Sequence, residues 1–159
     1  MRPTTVSDAA FIVALWNTPK WIRFIGDRNV KTIAIAREYI TEKMIPQLQK
    51  LGYSSYTVLR KEDHRKIGSC SLYDREGLDG IDIGFAFLPA YEGKGYALEA
   101  ASKLRDVALT VFGLEYLMAI TTKDNVASQK LLRKLGLKHI GTTQLPNETE
   151  ELLVYKLGT

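Results

Sequence analysis

The stretch FLPAYEGKGYALEAASKLRDVAL, residues 87–109, constrains the fold more than any other. A run that reads as a strand passes Gly93, Lys94 and Gly95 and enters a run that reads as a helix, with Ala97, Ala101, Leu104, Ala108 and Val111 on one face and Gly113 as its stop. The first turn of a helix carries unpaired N–H groups and the positive end of the peptide dipole, so a strand–turn–helix of small residues suits a phosphate or pyrophosphate. Two familiar glycine loops do not fit. A magnesium-nucleotide loop needs Ser or Thr after its Gly-Lys pair, and Lys94 is followed by Gly95. A dinucleotide fingerprint counted from Gly93 puts its third small residue at Leu98, and the strands before it alternate like an antiparallel sheet. A tight turn whose glycines serve only backbone conformation is the alternative.

The rest of the chain reads as a mixed α/β domain. In TVSDAAFIVALWN, Ser7 is the expected N-cap of a short helix with Phe11, Ile12, Leu15 and Trp16 at helical spacing. A loop with Trp21, Arg23, Phe24 and Gly26 follows, then a helix over 32–51 carrying Ile33, Ile40, Met44, Ile45 and Leu48, kinked near Pro46 and ended by Gly52. YTVLR, KIGSCSLY and GIDIGFAFL, separated by turn-rich segments, predict an antiparallel meander. EYLMAITT reads as a buried strand, DNVASQKLLRKLG as a helix closed by Gly136, and KHIGTTQ and TEELLVYKL as the last strands.

The 159 residues, 45% hydrophobic and 25% charged, suit one domain over 1–159. The net charge of +4 is dispersed along the chain, which leans toward anionic ligands and away from nucleic acid as a partner. No apolar run reaches the roughly 20 residues a bilayer span needs, and no leader is legible, so the expected address is cytoplasmic, with no membrane partner. Cys70 is the one cysteine; it alternates with Leu72 and is expected to pack. His64 and His139 show no metal-ligand spacing, so no metal is expected.

EGKGYALEA is similar to the pyrophosphate loop of GNAT-superfamily N-acetyltransferases, and NVASQKLLRKLGL, about thirty residues on, resembles a later element of the same family, with Asn125, Ser128, Leu131, Lys134, Gly136 and Leu137 in its spacing. RPTTVSDAAFIVALWNTP and DIGFAFLP resemble the branch that acetylates ribosomal-protein N-termini. The resemblance covers nearly the whole chain. It implies a central, mostly antiparallel mixed sheet flanked by helices and splayed where acetyl-CoA enters. Gly93, Lys94, Gly95, Tyr96 and Ala97 would hold the pyrophosphate, Phe87 and Leu88 would pair with the pantetheine arm through main chain, and Asn125 would bond it from the other side. Three departures stand out. Glu92 occupies a position where Gln or Arg is commonest, Leu132 stands where many members carry a proton-donating tyrosine, and the first strand is short or absent. In the branch resembled, a serine one turn earlier takes the tyrosine's place, which here is Ser128.

The implied chemistry is acyl transfer from a thioester to an amine, which must lose a proton before it attacks. Side-chain parity on GIDIGFAFL sets Ile81, Ile83, Phe85 and Phe87 on one face and Asp82, Gly84 and Ala86 on the other. Asp82 is therefore the candidate base, against the alternative of a surface aspartate; Asp74 and Glu76 are lesser candidates. Trp16, Trp21 and Phe24 line an acceptor pocket or pack in the core, and Glu99 in a first helical turn is explained by the dipole. Acetyl-CoA and an amine are the expected partners, a peptide α-amine first. The protein is expected to be a monomer or homodimer. A domain that binds acyl-CoA without turnover is the competing class.

Overall fold

The computed structural model describes residues 1–158. A seven-stranded sheet runs in the order β1-β2-β3-β4-β5-β7-β6, where β1 is Arg2–Pro3, β2 Ser55–Leu59, β3 Lys66–Asp74, β4 Ile81–Phe87, β5 Leu117–Thr121, β6 Lys138–Thr143 and β7 Leu152–Leu157. β2, β3 and β4 form the expected meander, and β4 to β5 is the parallel step, crossed by the long helix α5, Tyr96–Thr110. The first strand is indeed short, two residues paired with β2.

The parity read on β4 holds. Ile83 and Phe87 are buried with Ala101, Leu104 and Ala108 of α5 and with Leu132 of α6, Val126–Lys134, in one core. The opposite face of the sheet carries a second core built by α1, Ala9–Trp16, and α3, Ile33–Tyr39, with Ile12, Leu15, Trp16, Ala36, Ile40 and Met44 buried. Cys70 is fully buried and burial pushes its thiol up to about 12, as expected of a packing residue.

Four local readings need correction. The first helix does not start on Ser7: Asp8 closes a 3₁₀ turn whose leading residue is Thr5, and its carboxylate accepts from the Thr5 N–H at 2.9 Å. Residues 18–26 are not simply a loop, because Thr18 caps and Pro19 opens the short helix α2, Pro19–Phe24. The helix over 32–51 is three segments, α3, a π-helical turn over Ile40–Met44, and α4, Ile45–Leu51. Pro46 has no N–H to close a regular turn, and the wider turn just before it takes up the mismatch. Ile33, expected to pack, is 47% exposed.

Candidate active site

β4 and β5 share a single aligned pair, Asp82 with Met118, and part beyond it. The gap opens into a cleft of about 1040 Å³ lined by β4 from Asp82 to Phe87, by Ile120 and Thr121 of β5, by the starts of α5 and α6, and by α2. In an antiparallel ladder, residues alternate between bonding their neighbour and pointing away. The Leu88 N–H donates to the Ile67 carbonyl at 2.9 Å, so Phe87 and Phe85 turn their main-chain groups toward the open side, where an extended ligand could pair. Leu88 donates away from the cleft and does not line it, and its carbonyl accepts from the Tyr91 N–H, one of the two bonds a carbonyl can take.

The glycine turn ends at this cleft. Gly95 is the N-cap of α5 at φ +86°, with no side-chain cap bond, so the first N–H groups of a fifteen-residue helix are left without a side-chain acceptor. A Cβ placed at Gly93 or Gly95 would meet nothing within 4 Å, so these glycines answer to backbone conformation, and the space beside them is open to a ligand. Gly93, Gly95, Tyr96 and Ala97 line the cleft; Lys94 is exposed and does not. Glu92 pairs with Lys20 of α2. The geometry fits a diphosphate bound mainly by backbone.

Across the cleft, the Asn125 Oδ1 accepts the Ser128 N–H at 3.2 Å and so caps α6. That leaves the asparagine's NH₂ as its donor toward the cleft. The Ser128 hydroxyl plays no part in the cap and has no bonding partner among the described residues. Leu132, one turn on, is 1% exposed and sits in the core while its edge lines the cleft.

Asp82 is not the surface aspartate that was the alternative. It is 3% exposed at the apex of the splay, and the Arg75 Nε–H donates to its Oδ2 at 2.8 Å. Burial raises the Asp82 pKa above the ordinary carboxylate value, and Arg75 offsets part of that rise. Tyr73, opposite Asp82 in the β3–β4 register, also lines the cleft, and burial pushes its phenol up to about 12. Ser69 and Ser71 continue the same polar floor. Sequence reasoning missed Arg75, which lies in a turn, and Tyr73, although its parity with Ser69 and Ser71 was readable once the register was known. Asp74 and Glu76 are exposed and outside the cleft. Trp16 is buried in the second core, its ring stacked on Trp21 at 4.9 Å, and both line the cleft with Phe24.

The sheet is mostly antiparallel and parts at one parallel step, beside a helix start that has no side-chain cap. The family model described as an acetyltransferase (GNAT) domain matches residues 1–138, and the chain belongs to that family. Over 101 residues it is 33% identical to the uncharacterized N-acetyltransferase YjdG of Bacillus subtilis (strain 168), a match covering 62% of this chain and 59% of that protein. The crystal structure of ribosomal-protein-S5-alanine acetyltransferase from Vibrio fischeri is similar at a TM-score of 0.80 and 20% identity, over 98% of this chain and 90% of that one. The aminoglycoside acetyltransferase AAC(6')-Ib, solved in complex with coenzyme A, is similar at 0.77 and 15%, over 99% and 92%.

Proposed function

We propose that this protein transfers the acetyl group of acetyl-CoA to a primary amine, and that the acceptor is the α-amine of a protein or peptide. The observation that carries the reading is the coincidence, in one cleft, of the unpaired β4 edge, the uncapped start of α5 and a buried carboxylate. The diphosphate of acetyl-CoA would lie on the N–H groups from Gly93 to Ala97, its pantetheine arm along the main chain of Phe85 and Phe87, and Asn125 on the far side. Bound acetyl-CoA supplies an activated acyl carbon.

This chain's residues then have three tasks. Asp82 takes the proton the amine must lose, directly or through water; Arg75 holds that carboxylate; Ser128 gives a proton to the departing thiolate. An α-amine, with a pKa of roughly 8 against roughly 10.4 for lysine, needs the least help at neutral pH. The ribosomal-protein branch is the placement within the family that the N-terminal helix and DIGFAFLP favour. Similar folds are named for an S5 alanine and for an aminoglycoside, so the scaffold alone does not choose the acceptor.

Burial of Leu132 at the position of the family's tyrosine favours a second reading, a domain that binds acyl-CoA without turnover. Thiol release from acetyl-CoA, followed against a panel of peptides, amino acids, polyamines and aminoglycosides, separates the two. Release that depends on an amine supports transfer, and binding without release supports the second reading.

A further inference from the structure

Helix α2 spans only Pro19–Phe24 and has no buried residue, yet Thr18, Lys20, Trp21, Arg23 and Phe24 all line the cleft. Two ion pairs tie it down, each to a different wall. Lys20 pairs with Glu92, 72 residues away at the head of the glycine turn. Arg23 pairs with Asp124, 101 residues away and next to the Asn125 cap of α6, at 3.3 Å. Trp21 also stacks on Trp16, inclined by only 12°, and packs against the second core. Both ion pairs are well exposed, with side-chain exposures of 60% and 31% in one and 67% and 57% in the other. Such pairs are individually weak and screened by salt, so they hold a segment without fixing it permanently.

We propose that Lys20 and Arg23 are positioning residues that strap α2 across the cleft. The strap must lift for acetyl-CoA to enter or leave, and its return sets Trp21 and Phe24 back against the cleft. Glu92, the departure from the usual Gln or Arg, acquires a reason on this view: it is the anchor of the strap on the phosphate side. The inference rests on acetyl-CoA being the ligand of this cleft but not on transfer taking place.

Stopped-flow tryptophan fluorescence with acetyl-CoA tests it, because the chain's two tryptophans are the stacked pair. A strap and simple charge attraction predict opposite signs. If Lys20 and Arg23 only attract a polyanion, Lys20→Gln and Arg23→Gln slow its association. If they strap α2, each variant speeds both association and dissociation, by about two- to fivefold for pairs of this strength. The exchange Lys20→Glu with Glu92→Lys then returns both rates toward wild type. Association that slows or stays unchanged in both single variants overturns the strap, as does an exchange no slower than Lys20→Gln. A wild type that shows neither a fluorescence change nor calorimetric heat with acetyl-CoA overturns the strap and the cofactor reading together.

Discussion

Arg75 donates its Nε–H to the Asp82 Oδ2 at 2.8 Å, and only 4% of the aspartate's side chain meets solvent. Burial raises the Asp82 pKa from 3.8, so the carboxylate needed as a base forms only above that raised value. In the proposed reaction kcat/KM therefore rises with pH through the elevated Asp82 pKa, and rises again as the amine deprotonates. Asp82→Asn should remove the lower limb and reduce turnover by about 10²-fold or more. Arg75→Gln leaves the buried carboxylate without its partner and should move that limb to higher pH while it persists. A pH–rate profile of the three proteins checks this, and an unmoved limb in Arg75→Gln would mean that Arg75 does not hold the Asp82 pKa down.

Ser128 offers a separation that a capping residue would not. Its backbone N–H, not its hydroxyl, completes the α6 cap, so Ser128→Ala leaves the cap bond from Asn125 in place. Thermal stability should change by less than about 0.5 kcal/mol, while turnover falls about 10²-fold with acetyl-CoA affinity nearly unchanged. Asn125→Ala should show the reverse weighting in stability, a loss of about 1 kcal/mol from the missing cap. Wild-type turnover in Ser128→Ala, at saturating amine, makes water the proton source.

What the sequence disclosed follows the range of the forces involved. The turn before α5 and the parity of β4 are set by neighbours a few residues apart, and both were legible. The π-helical turn before Pro46 was half legible: the proline announces a disturbance, but whether a helix kinks or widens depends on the packing of Ile40 and Met44. α2 escaped because six residues give too little periodicity, although Thr18 and Pro19 are a readable start signal. The ionic contacts that shape the cleft lay out of reach. Lys20 with Glu92 and Arg23 with Asp124 join segments that meet only after the sheet has formed. Leu88 shows both ranges, since its N–H is taken by Ile67 across the β3–β4 register while its carbonyl accepts from Tyr91 three residues on.

Acid should unfold this protein through Asp8. Its carboxylate is wholly buried and accepts from Arg2 at 2.7 and 2.8 Å and from the Thr5 N–H, with Lys66 paired at 2.8 Å. Burial pushes its pKa up, but these donors outweigh it and hold the group well below the usual carboxylate range. A depressed folded pKa stabilises the fold above the unfolded value of 3.8, and that contribution is lost as pH falls from there. Asp8→Asn should cost about 3 kcal/mol at neutral pH and flatten the acid side of the stability curve. Arg2→Ala should cost less, because Lys66 remains. Urea denaturation at several pH values gives both results, and an Asp8→Asn curve parallel to wild type below 4 would assign acid unfolding elsewhere.

Product mass decides whether the cleft beside the Gly93–Ala97 turn carries acetyl from acetyl-CoA to an amine. Wild type and Gly95→Val are incubated side by side with acetyl-CoA and the amine panel, and acetylated product and free CoA thiol are quantified. A branched residue at φ +86° is strained and stands where the diphosphate would approach the backbone. Wild type should therefore yield monoacetylated amine with an equal amount of thiol, and folded Gly95→Val should yield neither and bind acetyl-CoA poorly. Product formed equally by both proteins, or none from a wild type that binds acetyl-CoA, would contradict the account.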